Sequence, residues 1–523
     1  MNRRTFLRTA GVGCAAALAG CRTVPNHTQS RRFPHIVYIL ADDMGYGDPA
    51  CLNPESKIPT PNMDRLCREG VTFTDAHSGS AVCTPTRYGI MTGRYSWRTH
   101  LKSGVLYSPS PPLIAPDRLT VASLLRNAGY RTACIGKWHL GLGWATTDGQ
   151  EPTPMNLDYS KPVAEGPCAR GFDYYFGIPA SLDMIPYVYI ENDRVVEPAT
   201  EHTEGGEGTA FHRGGPIAPH FKVDEVLPTL TRKAVECIDR HAKDYADKPL
   251  FLYFPLPAPH APIVPSQPFV GKTGIGPYGD FVAECDWTVG EVLSALERNG
   301  MDRDTLFIFT SDNGAAPVSD FDALYAKGHN PNYVFRGHKA DIFEGGHHIP
   351  FLARWPGHIR PQSTYPGVIC LGDLMATAAE ITGQKLPDNA GEDSVSFLPA
   401  LLGQTSRTLH EAIVHHSSNG SFAIRQGPWK LELCPGSGGW SKPRPQDTPE
   451  QELPPIQLYN LAEEIGERRN LQADHPEIVQ RLTRLLEKYV AEGRSTPGKP
   501  QANDTPVNLW GPQAQKKPAK TAG

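Results

Sequence analysis

Four nearly continuous apolar runs, each ending abruptly in polar residues, constrain this chain more than any other feature. His35-Ile36-Val37-Tyr38-Ile39-Leu40 stops at Ala41-Asp42-Asp43-Met44-Gly45, and Ala133-Cys134-Ile135 leads into Gly136-Lys137-Trp138-His139. Leu250-Phe251-Leu252-Tyr253-Phe254 leads into Pro257-Ala258-Pro259-His260, and the run from Thr305 to Thr310 leads into Ser311-Asp312-Asn313-Gly314. A short run that is apolar at consecutive rather than alternate positions reads as a strand buried on both faces, the condition of a parallel sheet covered by helices. Helical or loop-rich sequence separates the runs, including Leu119 to Asn127. The expectation is an α/β fold with a mostly parallel, doubly wound sheet. Its strand ends would share one edge, where such sheets bind ligands.

Beyond about residue 400 the pattern changes. Phe422-Ala423-Ile424-Arg425, then Gln426-Gly427, then Pro428 to Leu433 has the form of a hairpin, and Ile456 to Tyr459 could add a strand. Between Pro476 and Glu492, Ile478, Leu482, Leu485, Leu486 and Tyr489 recur at helical spacing. This predicts a large α/β domain over 35–405 and a small C-terminal α+β subdomain with an antiparallel sheet over 406–493. Residues 494–523, rich in Pro, Gln, Lys and Ala, read as a disordered tail in which Leu509-Trp510 could dock.

The first residues form a processing segment. Asn2-Arg3-Arg4-Thr5-Phe6-Leu7-Arg8 is similar to a twin-arginine export signal, and Leu18-Ala19-Gly20-Cys21 to a bacterial lipobox. Residues 1–21 are thus an export signal with Cys21 as the lipidated residue, and 22–34 a tether. This places the protein in a bacterial cell envelope, as a periplasmic or outer-membrane lipoprotein that meets the membrane only through its lipid anchor and depends on export machinery. A non-lipidated periplasmic form is the alternative. A net charge of −5 over 523 residues gives no sign of a nucleic-acid partner. None of the eleven cysteines forms a Cys-x-x-Cys pair, which argues against a zinc site and leaves any disulfide pairing open.

Ala81-Val82-Cys83-Thr84-Pro85-Thr86-Arg87 places a thiol just before a proline suited to a first helical turn. Cys83 would then sit at a helix N-terminus, with free N–H groups and Arg87 one turn on, an arrangement that suits an anion. Asp42, Asp43, Asp312 and Asn313 are oxygen donors at two strand ends, which suit Ca²⁺ or Mg²⁺ better than Zn²⁺. Taken alone, such acidic pairs are ordinary turn sequences.

Cys83-x-Pro85-x-Arg87 followed by Met91-Thr92-Gly93-Arg94 resembles the signature of the type I sulfatases, members of the alkaline phosphatase superfamily. Matching segments recur over roughly residues 35 to 470. The resemblance implies an alkaline-phosphatase-like α/β domain and oxidation of Cys83 to formylglycine by a maturation enzyme. It also implies one divalent cation, usually calcium, held by Asp42, Asp43, Asp312 and Asn313 and contacting residue 83. It carries catalytic roles to Arg87, Lys137, His139, His260 and Lys339, and a sulfate-contacting role to Ser181. The activity implied is hydrolysis of sulfate esters, and export points to a sulfated carbohydrate. One departure stands out: after Glu344-Gly345-Gly346 the family often has His-Arg, whereas this chain has His347-His348. His415, His416 and Ser417 form a polar cluster beside a predicted strand and are expected to lie near the sulfate pocket and help recognise the sugar. Two other readings stay open, a phosphomonoester or phosphonate monoester hydrolase on the same scaffold and an inactive lipoprotein that binds sulfated glycans.

Overall fold

A computed structural model describes residues 33–510 apart from 407, 445–446 and 448–452. The lipobox, Cys21 and the export signal lie outside the described residues. A ten-stranded sheet forms the centre. Its inner strands are β1 (His35–Asp42), β2 (Arg131–Lys137), β3 (Tyr174–Ile178), β4 (Leu250–Pro259), β5 (Thr305–Ser311) and β6 (Phe351–Arg354), in the spatial order β6-β5-β1-β4-β2-β3. Five of these run parallel, and β6 is antiparallel to β5. All eight residues of β1 are buried, and Val37 pairs with Leu252 on one side and Phe307 on the other, the pattern of a strand covered on both faces.

The helices follow the same logic. Helix α1 (Cys83–Thr92) is buried along most of its length, and its end is set by Gly93 in the left-handed conformation at φ 64°. Helix α2 (Val226–Asp244) buries Leu227, Leu230, Ala234, Ile238 and His241, a single face at helical spacing, against β4 and against α3 (Pro277–Arg298). Among the described residues, no helix is long and apolar enough to cross a membrane.

A four-stranded antiparallel sheet follows, β7 (Ile413–His416), β8 (Phe422–Gln426), β9 (Trp429–Glu432) and β10 (Gln457–Asn460), in sequence order. Helix α4 (Pro476–Ala491) packs Leu482, Leu486 and Tyr489 into its core. This small sheet belongs to the same compact unit as the large one. Ala81 N and Ser80 Oγ, just before α1, both donate to the His416 carbonyl, and Ser418 N donates to Ala340 O.

One expectation is corrected here. Residues 494 to 510 are not a disordered tail. Asp504 N donates to Arg98 O, Ser495 N donates to Glu392 O, and Leu509 is buried in the small-sheet core. Polar composition hid this because the segment is anchored by contacts to buried arginines rather than by a periodic apolar face. Cys51 and Cys67, whose pairing the sequence leaves open, form a disulfide, and Cys83 is a free, buried thiol.

Candidate active site

Because β1, β2, β4 and β5 are parallel, their C-terminal ends open onto one edge, and the polar residues that follow them converge there. β1 delivers Asp42 and Asp43, β2 delivers Lys137 and then His139, β4 delivers His260, and β5 delivers Asp312 and Asn313. Gly136 makes the Lys137 placement possible. At φ 131° it lies against β4, and a Cβ there would come within 1.9 Å of the Pro255 carbonyl oxygen. Asp43 and His139 are non-glycine residues at φ 65° and 56°, backbone strain of the kind that collects at functional sites.

Three carboxylates meet three cations at this edge. Arg87 Nη2 donates to Asp312 Oδ2 at 2.8 Å, and Nη1 to the Lys137 carbonyl at 3.1 Å. Lys137 Nζ donates to Asp42 Oδ2 and, at 3.0 Å, to Ser181 Oγ. Lys339 Nζ donates to Asp43 Oδ2 at 2.8 Å. Burial works against ionised Asp42, but Lys137, His260, Arg87 and Lys339 outweigh it and hold that carboxyl well below its ordinary range. Burial, with Asp42 alongside, pushes Asp312 up to about 7. Burial also pushes the Cys83 thiol up to about 11 despite Lys137 and Lys339, so an unmodified Cys83 is a protonated and poor nucleophile.

The donors fit a hard cation. One carboxylate oxygen each from Asp42, Asp43 and Asp312 lies within 4.8 Å of the others. Asp42 Oδ1 and Asn313 Oδ1 are buried without a hydrogen-bond partner, an arrangement that costs free energy unless a cation satisfies them. An all-oxygen set of this kind matches Ca²⁺ or Mg²⁺. The Cys83 thiol, an Asp42 oxygen and a His260 ring nitrogen also lie within 4.8 Å of one another, so residue 83 stands beside the acidic cluster.

Above this floor opens a cleft of about 770 Å³. Asp43, Cys83, His139, Ser181, His260 and Lys339 line its base, while Arg87 and Lys137 lie behind them, fully buried against the carboxylates. His260 Nε2 is 3.2 Å from Ser181 Oγ and 3.6 Å from Asp43 Oδ2. His139 Nε2 is 2.7 Å from the Leu106 carbonyl, which makes it the donor and leaves Nδ1, buried and unpartnered, as a lone pair. Burial, then Lys137 and Arg87, hold this imidazole well below its usual pKa, so it is neutral.

The expectation for His416 is corrected. It does not line the cleft. Its ring is buried 4.9 Å from that of Phe422, and its carbonyl is the one that receives Ala81. All four residues of β7 are buried, because the strand is covered on both sides, and the chain turns outward only afterwards, so Ser418 and Asn419 reach the cleft instead. His415 lies in a buried group with His77 and His347, its ring stacked 3.7 Å from that of His347. His348 is tied to Glu344 Oε2 at 3.0 Å and to the Thr74 carbonyl at 2.9 Å, and does not line the cleft. Sequence reasoning missed Tyr107, Asp183, Arg213 and Trp440 on the cleft wall. They sit on loops without a periodic pattern, and an isolated aromatic or arginine in a loop carries no local sign of what it faces.

A family model described as sulfatase matches residues 34–384. An N-acetylgalactosamine-6-O-sulfatase of Bacteroides thetaiotaomicron is 34% identical over 90% of this chain and 96% of its own length. Human arylsulfatase A is 33% identical over 87% of both chains. A solved Bacteroides thetaiotaomicron structure, from work on the metabolism of multiple glycosaminoglycans, superposes with a TM-score of 0.76 at 32% identity. That match covers 87% of this chain and 99% of the other.

Proposed function

The chain belongs to the sulfatase family and is a sulfuric ester hydrolase, and from that premise we propose that it removes a 6-sulfate from an N-acetylgalactosamine residue of a glycan, using a formylglycine made from Cys83 and one divalent cation. The observation that carries the reading is the position of Cys83: on the cleft floor, at a helix N-terminus, within 4.8 Å of Asp42 and His260.

Asp42, Asp43, Asp312 and Asn313 would hold the cation. Bound there, Ca²⁺ or Mg²⁺ would supply positive charge for the sulfuryl oxygens and lower the pKa of an attacking hydroxyl. Hydrated formylglycine would supply two hydroxyls on one carbon, one to attack sulfur and one to expel sulfate. The chain's own side chains do the remainder. Lys339 and the N-terminus of α1 face the sulfuryl group, and Arg87 and Lys137 balance the carboxylates behind it. Asp312, beside residue 43 and paired to Arg87, is placed to take the proton of the first hydroxyl. His260 and Lys339, both lining the base of the cleft, are placed to protonate the departing sugar oxygen, which otherwise leaves as an alkoxide. His139 Nδ1, neutral and unpartnered, is placed to take the proton of the second hydroxyl.

The maturation and the reaction are tested together. The peptide containing Cys83, from protein made with a formylglycine-forming enzyme, should show sulfur replaced by oxygen with loss of two hydrogens. That protein should desulfate 6-sulfated N-acetylgalactosamine faster than it hydrolyses the matched 6-phosphate. An unmodified thiol in active protein would sink the formylglycine reading, and preference for the phosphate would favour the phosphatase alternative. Arg3-Arg4 and Cys21 support export by the twin-arginine route and lipidation at Cys21. Cys21→Ser should abolish labelling with a radioactive fatty acid, and labelling that persists would remove the anchor from the reading.

A further inference from the structure

The cleft wall carries a second polar pair that the reaction does not use. Asp183 follows Ser181 by two residues and lines the same cleft. Arg213 Nη1 donates to both the Asp183 carbonyl, at 3.1 Å, and its Oδ2, and the Arg213 backbone N–H donates to the same carbonyl at 3.2 Å. The guanidinium is therefore fixed by contacts that run through one nitrogen. Among the described residues Nε and Nη2 have no partner, and the side chain is 38% exposed. The Asp183 side chain, by contrast, is 10% exposed, and its second oxygen, Oδ1, is buried with no hydrogen bond.

Aromatic rings complete the arrangement. The guanidinium carbon lies 5.5 Å from the Tyr107 ring centroid and 5.6 Å from that of Phe211. Both residues are exposed, at 59% and 41%, and both line the cleft. An arginine held in place by cation–π contacts and a carboxylate loses little side-chain entropy when it binds, and its remaining N–H groups match the two oxygens of an anion. The unpartnered Asp183 oxygen requires a donor, which a sugar hydroxyl supplies.

Resting on the sulfated-sugar reading above, we infer that Asp183 and Arg213 form a subsite for the sugar next to the one desulfated. Asp183 Oδ1 accepts from a hydroxyl of the sulfated sugar, and Arg213 pairs with a carboxylate or second sulfate on its neighbour. The substrate class is then an acidic oligosaccharide of at least two sugars. A cleft of about 770 Å³ has room for both.

The test uses the full-length matured enzyme acting on a small aryl sulfate. Three disaccharides without the scissile sulfate serve as inhibitors, and their adjoining sugar carries a carboxylate, a sulfate ester or a neutral hydroxymethyl group. The wild type should be inhibited by one or both anionic compounds at least about tenfold more strongly than by the neutral one. The stronger of the two anions identifies the natural group. Arg213→Ala should bring this ratio close to one, and Arg213→Lys should restore part of it. Because the ratio is taken within one preparation, partial misfolding cancels. Equal inhibition by all three compounds in the wild type, or a ratio that survives in Arg213→Ala, overturns the subsite. An enzyme that keeps the ratio but fails on 6-sulfated N-acetylgalactosamine overturns the proposed substrate and leaves the subsite standing.

Discussion

Arg94, just beyond the helix that carries Cys83, donates through Nη2 to Asp504 Oδ1 at 3.0 Å, a contact between residues 410 apart in sequence. Arg94 is fully buried, and a neighbouring buried cation, Arg98, meets Asn503 Oδ1 at 3.0 Å. The C-terminal segment thus braces the base of α1. Truncation after residue 493 should lower the melting temperature by more than about 4 °C, since it uncovers the core around Leu509 and removes partners of buried charges. Asp504→Ala alone should cost less, because that carboxylate is half exposed. An unchanged melting curve in the truncated protein would show that the brace contributes nothing.

The unpartnered oxygens of Asp42 and Asn313 make metal removal informative. Exhaustive chelation should abolish activity and lower the melting temperature, and Ca²⁺ should restore both, by the linkage between ligand binding and folding. Asp312→Ala should reduce kcat by at least about a hundredfold, since it removes both a ligand charge and the proton acceptor. Full activity in metal-free protein is the outcome that rejects the site.

Cys83→Ser, made in a host that matures only cysteine, keeps one hydroxyl beside the same cations. It should be sulfated once and then stop, because no second hydroxyl exists on its carbon to expel sulfate. Intact mass after incubation with excess substrate should show one added sulfuryl group per chain, with about one product molecule per enzyme. Sustained turnover by verified unmodified serine protein would reject the geminal-diol mechanism.

Burial pushes both His77 and His416 down to about 4, and it holds His347 and His415 well below the usual value. In the unfolded chain these imidazoles titrate near 6.5. Between the two values the unfolded state binds protons that the folded state refuses. Stability is therefore fully present above about pH 6.5 and falls as pH drops toward about 4. For His77 and His416 the full change corresponds to about 3 kcal/mol each. Denaturant midpoints measured from about pH 7.5 to about pH 5 should fall accordingly, and less steeply in His416→Gln. A flat profile would mean that the folded protein takes up these protons.

The parallel sheet, the small antiparallel hairpin and the floor of the cleft are legible in the chain's own pattern, for a local reason. Consecutive apolar residues encode burial on both faces. Parallel strands end at one edge, so Asp42, Lys137, His260 and Asp312, each at the close of such a run, had to meet. The hairpin form around Gln426-Gly427 and helical spacing likewise mark Phe422–Gln426, Trp429–Glu432 and Pro476–Ala491 as elements.

Facing is another matter. His416 and Ser418 are two residues apart and equally polar, yet the ring of one lies against Phe422 on the neighbouring strand and the other reaches the cleft, because β7 is covered on both sides and the chain turns outward only after it. Arg87 turns onto Asp312, and Arg213 onto Asp183, through pairings that no spacing announces. The sequence by itself determined which segments are buried and what chemistry stands at their ends, since periodicity records burial along the chain. Only the tertiary structure decided which polar groups meet across separations such as the 225 residues between Arg87 and Asp312, because such meetings depend on how whole elements pack.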